Sequence, residues 1–110
     1  MVVQRGEVWW ADLEPPSGRR PVLLLTRDIA YRLRTSVTIA TITRTIRGIA
    51  VEVPLGPEDG MPQRCVVNLD DINTIPKSML ITRIAALSAD KIADVNGAII
   101  FALDLRLDDA

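Results

Sequence analysis

Histidine is missing from this chain, and cysteine occurs once, at Cys65. Without an imidazole there is no Ser-His-Asp or Cys-His triad and no histidine-based metal site, and a single thiol forms no intrachain disulfide. Set in the apolar run Cys65-Val66-Val67, that thiol reads as a small buried hydrophobe. No apolar run approaches the ~20 residues that span a bilayer as a helix. The charged Arg5 and Glu7 follow the start almost at once, so neither a targeting segment nor membrane association is expected and the location reads as cytoplasmic. Repeats and linkers are absent as well. What remains is 110 residues, 48% of them hydrophobic, enough to bury one core as a single domain over 1–110.

Charge is divided unevenly along the chain. The net value of −1 argues against a nucleic-acid partner, yet residues 1–50 hold eight arginines against four carboxylates, and residues 51–110 hold five cations against ten carboxylates. Lysine is scarce, two among thirteen cations. Arginine is the cation whose planar fork grips phosphate or carboxylate through two donors, so its clustering in the first half marks a candidate anion-binding region.

Hydrophobic patterning is mostly that of strands. Val8–Leu13 reads as the first, with Trp9 and Trp10 on opposite faces. Glu14-Pro15-Pro16-Ser17-Gly18 has turn chemistry, and Arg20-Pro21 stands at the mouth of a second strand, Val22–Thr26, whose unbroken apolar run fits a central position. Asp28–Arg34 suits a short helical turn. Thr35–Thr43 and Ile49–Leu55 are rich in β-branched residues and are expected to form a hairpin. Further strands are expected at Arg64–Leu69, Ile72–Ile75 and Leu80–Ala86. Ser88 caps a C-terminal helix with Ile92, Val95, Ile99 and Leu103 on its packed face. Ile100 and Phe101 lie off that face, where a second subunit could cover them.

Few residues carry chemistry. Asp70-Asp71 is a carboxylate pair without a third ligand at suitable spacing, so it reads as solvated or structural and no metal is expected. Ser17-Gly18 before Arg19-Arg20 lacks the pattern of a phosphate loop. If strands two and three are antiparallel neighbours, Arg20 and Thr43 share one rim of the sheet. On pattern alone, Arg20 also reads as a surface arginine and Thr43 as a β-former.

The same residues carry a resemblance. Arg5-Gly6-Glu7-Val8-Trp9-Trp10-Ala11-Asp12-Leu13, Arg20-Pro21-Val22-Leu23-Leu24-Leu25, Ala40-Thr41-Ile42-Thr43, Gly60-Met61-Pro62 and Val66-Val67-Asn68-Leu69-Asp70-Asp71-Ile72-Asn73-Thr74-Ile75 resemble, in order and interval, the motifs of the MazF/PemK toxin endoribonucleases over nearly the whole chain. The resemblance implies a mainly β (α+β) fold, an SH3-like β-barrel of the MazF/PemK/CcdB type with a short helix after strand 2 and a C-terminal helix. It implies a cytoplasmic homodimer that cleaves single-stranded RNA independently of the ribosome, without cofactor or metal, and that is held in check by a small antitoxin, expected to be acidic and partly disordered. The catalytic pair of that family falls on Arg20 and Thr43. Arg19, Arg44, Arg47, Ser17 and Tyr31 are the expected RNA contacts, with Tyr31 or a tryptophan as the residue that stacks on a base. One departure stands out: the loop between strands 1 and 2 is short, and the Glu and Gln that often precede the Arg-Pro pair have no counterparts.

With these residues the reaction would use the RNA's own 2′-OH, leaving a 2′,3′-cyclic phosphate and a 5′-OH, with Arg20 and Thr43 binding the charged phosphate. Without histidine, the leaving oxygen takes its proton from Arg20 or from water. The alternative is a non-catalytic module of the same barrel type that inhibits a topoisomerase by protein contact.

Overall fold

The computed structural model describes residues 2–28, 30 and 33–106. Six strands, β1 (Glu7–Asp12), β2 (Arg19–Leu24), β3 (Ser36–Thr43), β4 (Glu52–Leu55), β5 (Cys65–Pro76) and β6 (Leu80–Ala86), precede one helix, α1 (Ala89–Ala102). They form a single antiparallel sheet in the order β4-β5-β3-β2-β1-β6. This is the expected mainly β, SH3-like architecture in the form of a half-barrel.

The alternation of strand side chains divides the core between two faces. Val8, Leu23, Ala40, Ile42, Val67 and Leu69 join Val95 and Ala98 of α1 on one face. Trp9, Ala11, Val22, Leu24, Val37 and Ile39 pack on the other. β2 lies between β1 and β3, and its apolar run is covered on both faces of the sheet, Leu23 in the first cluster and Val22 and Leu24 in the second, so that all three are fully buried. Trp9 and Trp10 do part company as strand geometry requires: Trp9 is buried, Trp10 half-buried.

Three expectations need correction. The fourth strand begins at Glu52 and pairs with β5, so it forms no hairpin with β3. The reason lies in the connection: the buried Glu52 carboxylate accepts hydrogen bonds from the backbone N–H groups of Arg47 and Gly48, at 2.9 Å each. These bonds fold 47–52 into a turn and carry β4 past β3, leaving room for β5 between them. Alternating β-branched residues mark a strand but do not name its partner.

Second, the two short strands expected at 64–69 and 72–75 are one twelve-residue strand, β5. It is interrupted only in register, since Ala40 faces Ile72 while Thr41 faces Asn68. Three residues of β5 are thereby looped out, and Asp71 braces them, accepting from Thr41 Oγ1 and from Asn73 Nδ2 at 2.7 Å each. Asp71 is therefore a structural carboxylate.

Third, α1 ends at Ala102 and its buried face centres on Val95 and Ala98, with Leu103 56% exposed beyond it. Ser88 does cap the helix, its Oγ accepting from the Lys91 N–H. At the other end of the motif Gly6 has φ +90, and a Cβ there would meet Ile92 Cδ1 at 2.7 Å. Glycine at this point lets α1 lie against the turn that opens β1. The expected helical turn over 28–34 falls partly outside the described residues.

Candidate functional site

Antiparallel pairing of β2 with β3 in the register Val22 to Thr41 carries the start of β2 to the end of β3. That register, continued two residues, aligns Arg20 with Thr43 at one rim of the sheet, and both line the space there. There a cavity of about 780 Å³ opens, walled by Arg19, Arg20 and Ser17 on one side and by Thr43, Arg44 and Gln63 on the other, with Ile42, Met61 and Cys65 among its apolar lining. Three arginines and, among the described residues, no carboxylate line it. A concentration of guanidinium groups over an apolar floor is a site for an anion, and its low-dielectric wall strengthens the attraction.

The side chains are held in ways that leave their useful groups available. Arg20 donates through Nε to the Ser17 carbonyl at 3.1 Å, which orients the guanidinium while no ion pair occupies it among the described residues. Ser17 thus acts through its backbone. Thr43 Oγ1 accepts the Thr45 N–H at 3.1 Å; with one lone pair so used, its hydroxyl hydrogen is free to be donated. Arg44 reaches Gln63 Oε1 at 3.4 Å, a contact between exposed groups. Burial, and secondarily the Asp59 carboxylate, push the Cys65 thiol above its ordinary pKa. It is a neutral part of the floor.

Such a cleft suits phosphate chemistry without naming a substrate, and relatives of the chain decide its kinship. Residues 4–103 match the family model of the PemK-like, MazF-like toxin of type II toxin-antitoxin system. The chain belongs to the PemK/MazF toxin family. Among PemK/MazF relatives, it is 42% identical over 107 residues to the probable endoribonuclease MazF5 of Mycobacterium tuberculosis, covering 94% of this chain and 92% of that protein. Among solved structures it resembles the Mycobacterium tuberculosis toxin MazF-mt6, with TM-score 0.84, 39% identity and coverage of 91% and 98%. It also resembles a mycobacterial endoribonuclease solved in complex with its cognate antitoxin, with TM-score 0.83, 27% identity and coverage of 94% and 97%.

Within this PemK/MazF fold the expected site residues are sorted by structure. Arg19, Arg20, Ser17, Thr43 and Arg44 come together in one cleft. Arg47 does not join them: its Nε lies 3.2 Å from Glu52 Oε2, the same carboxylate that its own N–H binds. Burial pushes the Glu52 pKa up, but hydrogen bonds from Arg47 and Gly48 outweigh it and hold the carboxyl below its ordinary value. Tyr31 lies outside the described residues. Trp10, one of the two tryptophans that with Tyr31 were candidates for stacking on a base, lines the cleft, and so does Gln63, which the sequence did not single out. The signal for Trp10 was present in the adjacent Trp9-Trp10 pair, only one of which a single core face can take. Nothing in the pattern around Gln63 set it apart.

Proposed function

We propose that this PemK/MazF-family chain is an endoribonuclease toxin that cleaves single-stranded RNA without a metal ion or the ribosome. The observation that carries the proposal is a cleft that no carboxylate lines among the described residues, in which Arg20 and Thr43 both keep donors that no described residue occupies. The Arg20 guanidinium binds two non-bridging oxygens of the scissile phosphate, and the Thr43 hydroxyl donates to the same charge as it grows in the transition state. The substrate's 2′-oxygen attacks phosphorus and passes its proton to water; the bond from phosphorus to the 5′-oxygen breaks, and that oxygen takes up a proton from water or from Arg20, which water then reprotonates. The products are a 2′,3′-cyclic phosphate and a 5′-OH. Arg19, Arg44 and the Ser17 loop guide the flanking backbone, while Arg47 supports the turn behind β4.

In this reading the protein works in the cytoplasm as a homodimer. A cognate antitoxin, acidic and partly disordered before binding, neutralises it by covering the arginine-lined rim. The test is incubation of a long single-stranded RNA with the protein in EDTA, alongside Arg20→Ala and Thr43→Ala. Wild type is expected to yield fragments with cyclic phosphate ends, and each variant to lose activity by about 100-fold or more. Uncut RNA would refute the nuclease reading and leave the protein-contact alternative. Equal cleavage by both variants would refute the assignment of the pair.

A further inference from the structure

The cleft's arginines account for a phosphate, but they do not account for Trp10. Its neighbour Trp9 is buried, with the indole N–H donated to Glu7 Oε1 at 3.1 Å. Trp10 instead points from the other face of β1, is half-buried, and lines the cleft beside Arg20 and Thr43. No hydrogen bond holds its indole N–H among the described residues. Arg19 places its guanidinium 5.7 Å from the Trp10 ring centroid and has no hydrogen bond or ion pair among the described residues, so its donors remain free. A large flat ring left partly open in a cationic cleft, beside a guanidinium whose N–H donors no described residue engages, is the arrangement by which proteins take an unpaired base: stacking is tolerant of sequence, and the cation serves the attached phosphate.

We propose that Trp10 is the stacking platform for one nucleobase of the bound RNA, adjoining the scissile phosphate, with Arg19 bound to the phosphate of the same stretch of backbone. The proposal rests on the endoribonuclease reading and deepens it. β1 pairs Trp10 with Pro21, the residue after Arg20, so a base seated on the indole is tied through one rigid pair of strands to the guanidinium that binds the reacting phosphate. Stacking thereby fixes the sugar whose 2′-oxygen must lie in line with the leaving oxygen.

The test uses the full-length protein and a 2′-O-methyl oligonucleotide that carries its mapped cleavage sequence and resists cutting. With two tryptophans in the chain, binding is expected to quench the wild-type fluorescence, and Trp10→Phe, in which Trp9 alone emits, is expected to lose that quenching. Trp10→Leu is expected to weaken binding about 5- to 100-fold and to raise KM more than it lowers kcat on cleavable RNA. An oligonucleotide with an abasic residue beside the scissile phosphate is expected to bind wild type and Trp10→Leu equally, a comparison that a merely misfolded variant would not satisfy. Undiminished quenching in Trp10→Phe, or a Trp10→Leu enzyme with wild-type KM and cleavage pattern, would overturn the stacking role while leaving the nuclease intact. Failure of wild type to bind or cut any RNA would overturn the nuclease reading and this proposal with it.

Discussion

Replacing Glu7 by alanine tests what the one carboxylate buried at the start of β1 contributes. Glu7 is 7% exposed; its Oε1 accepts from the Gln4 N–H at 2.9 Å and from the Trp9 indole at 3.1 Å. Its Oε2 stands 3.4 Å from Arg83, whose side chain is 58% exposed. Alanine orphans the Trp9 donor, which is itself only 8% exposed, at about 1–3 kcal/mol. Lost packing of the side-chain methylenes adds about 1 kcal/mol, whereas Gln4 is exposed and its N–H turns to water. The expected destabilisation is therefore about 2–4 kcal/mol, close to 8–16 °C in Tm for a domain of this size. Arg83→Ala removes a long contact from a solvated partner and is expected to cost about 1 kcal/mol or less. Glu7→Gln keeps an acceptor for Trp9 and should fall near Arg83→Ala. Thermal unfolding at one protein concentration, followed by far-UV circular dichroism, ranks the variants. In a Trp9→Phe background the effect of Glu7→Ala should shrink, because no indole is left to orphan. If Arg83→Ala or Glu7→Gln proved as harmful as Glu7→Ala, the ion pair would be the main contribution and the reasoning would be refuted.

Three further outcomes follow from the same geometry. Because the folded-state pKa of Glu52 is lowered from 4.5, the stability it contributes is full above that value and is lost as pH falls below it; the gap between wild type and Glu52→Gln should narrow only as pH falls below 4.5, and a constant gap would count against the hydrogen-bonded turn. Cys65, buried and with its thiol pKa raised, should react with a maleimide at neutral pH far more slowly than in urea-unfolded protein, and equal rates would contradict its place in the floor. Arg20→Lys keeps the charge but loses the two-pronged fork, so RNA cleavage should drop about 10-fold or more while RNA binding changes little; full activity would mean that a point charge suffices.

Strand residues announced themselves through β-branched and alternating apolar runs, and Ser88 announced the helix start. Partners did not: β4 carries a strand pattern, but its pairing with β5 depends on the Glu52 turn, a contact between side chain and backbone within 47–52. The length of β5 was hidden for a similar reason, since Asp70 and Asp71 look like a break in the apolar pattern and are instead a looped-out register shift braced by Thr41 and Asn73. Of the expected RNA contacts, Arg44 and Arg47 stand three residues apart in equally cationic surroundings. Only the buried Glu52 removes Arg47 from the cleft.

By itself, the sequence determined that chemistry here proceeds without histidine, that cations gather in the first half, and that the motif series is that of a PemK/MazF toxin. Composition and motif order are properties of the chain alone, and folding does not alter them. The tertiary structure decided that the start of β2 and the end of β3, 23 residues apart at Arg20 and Thr43, form one rim, that Trp10 opens onto it, and that among the described residues no carboxylate does. Proximity in a sheet is set by which strands pair and in which register, through backbone hydrogen bonds that every residue but proline offers alike.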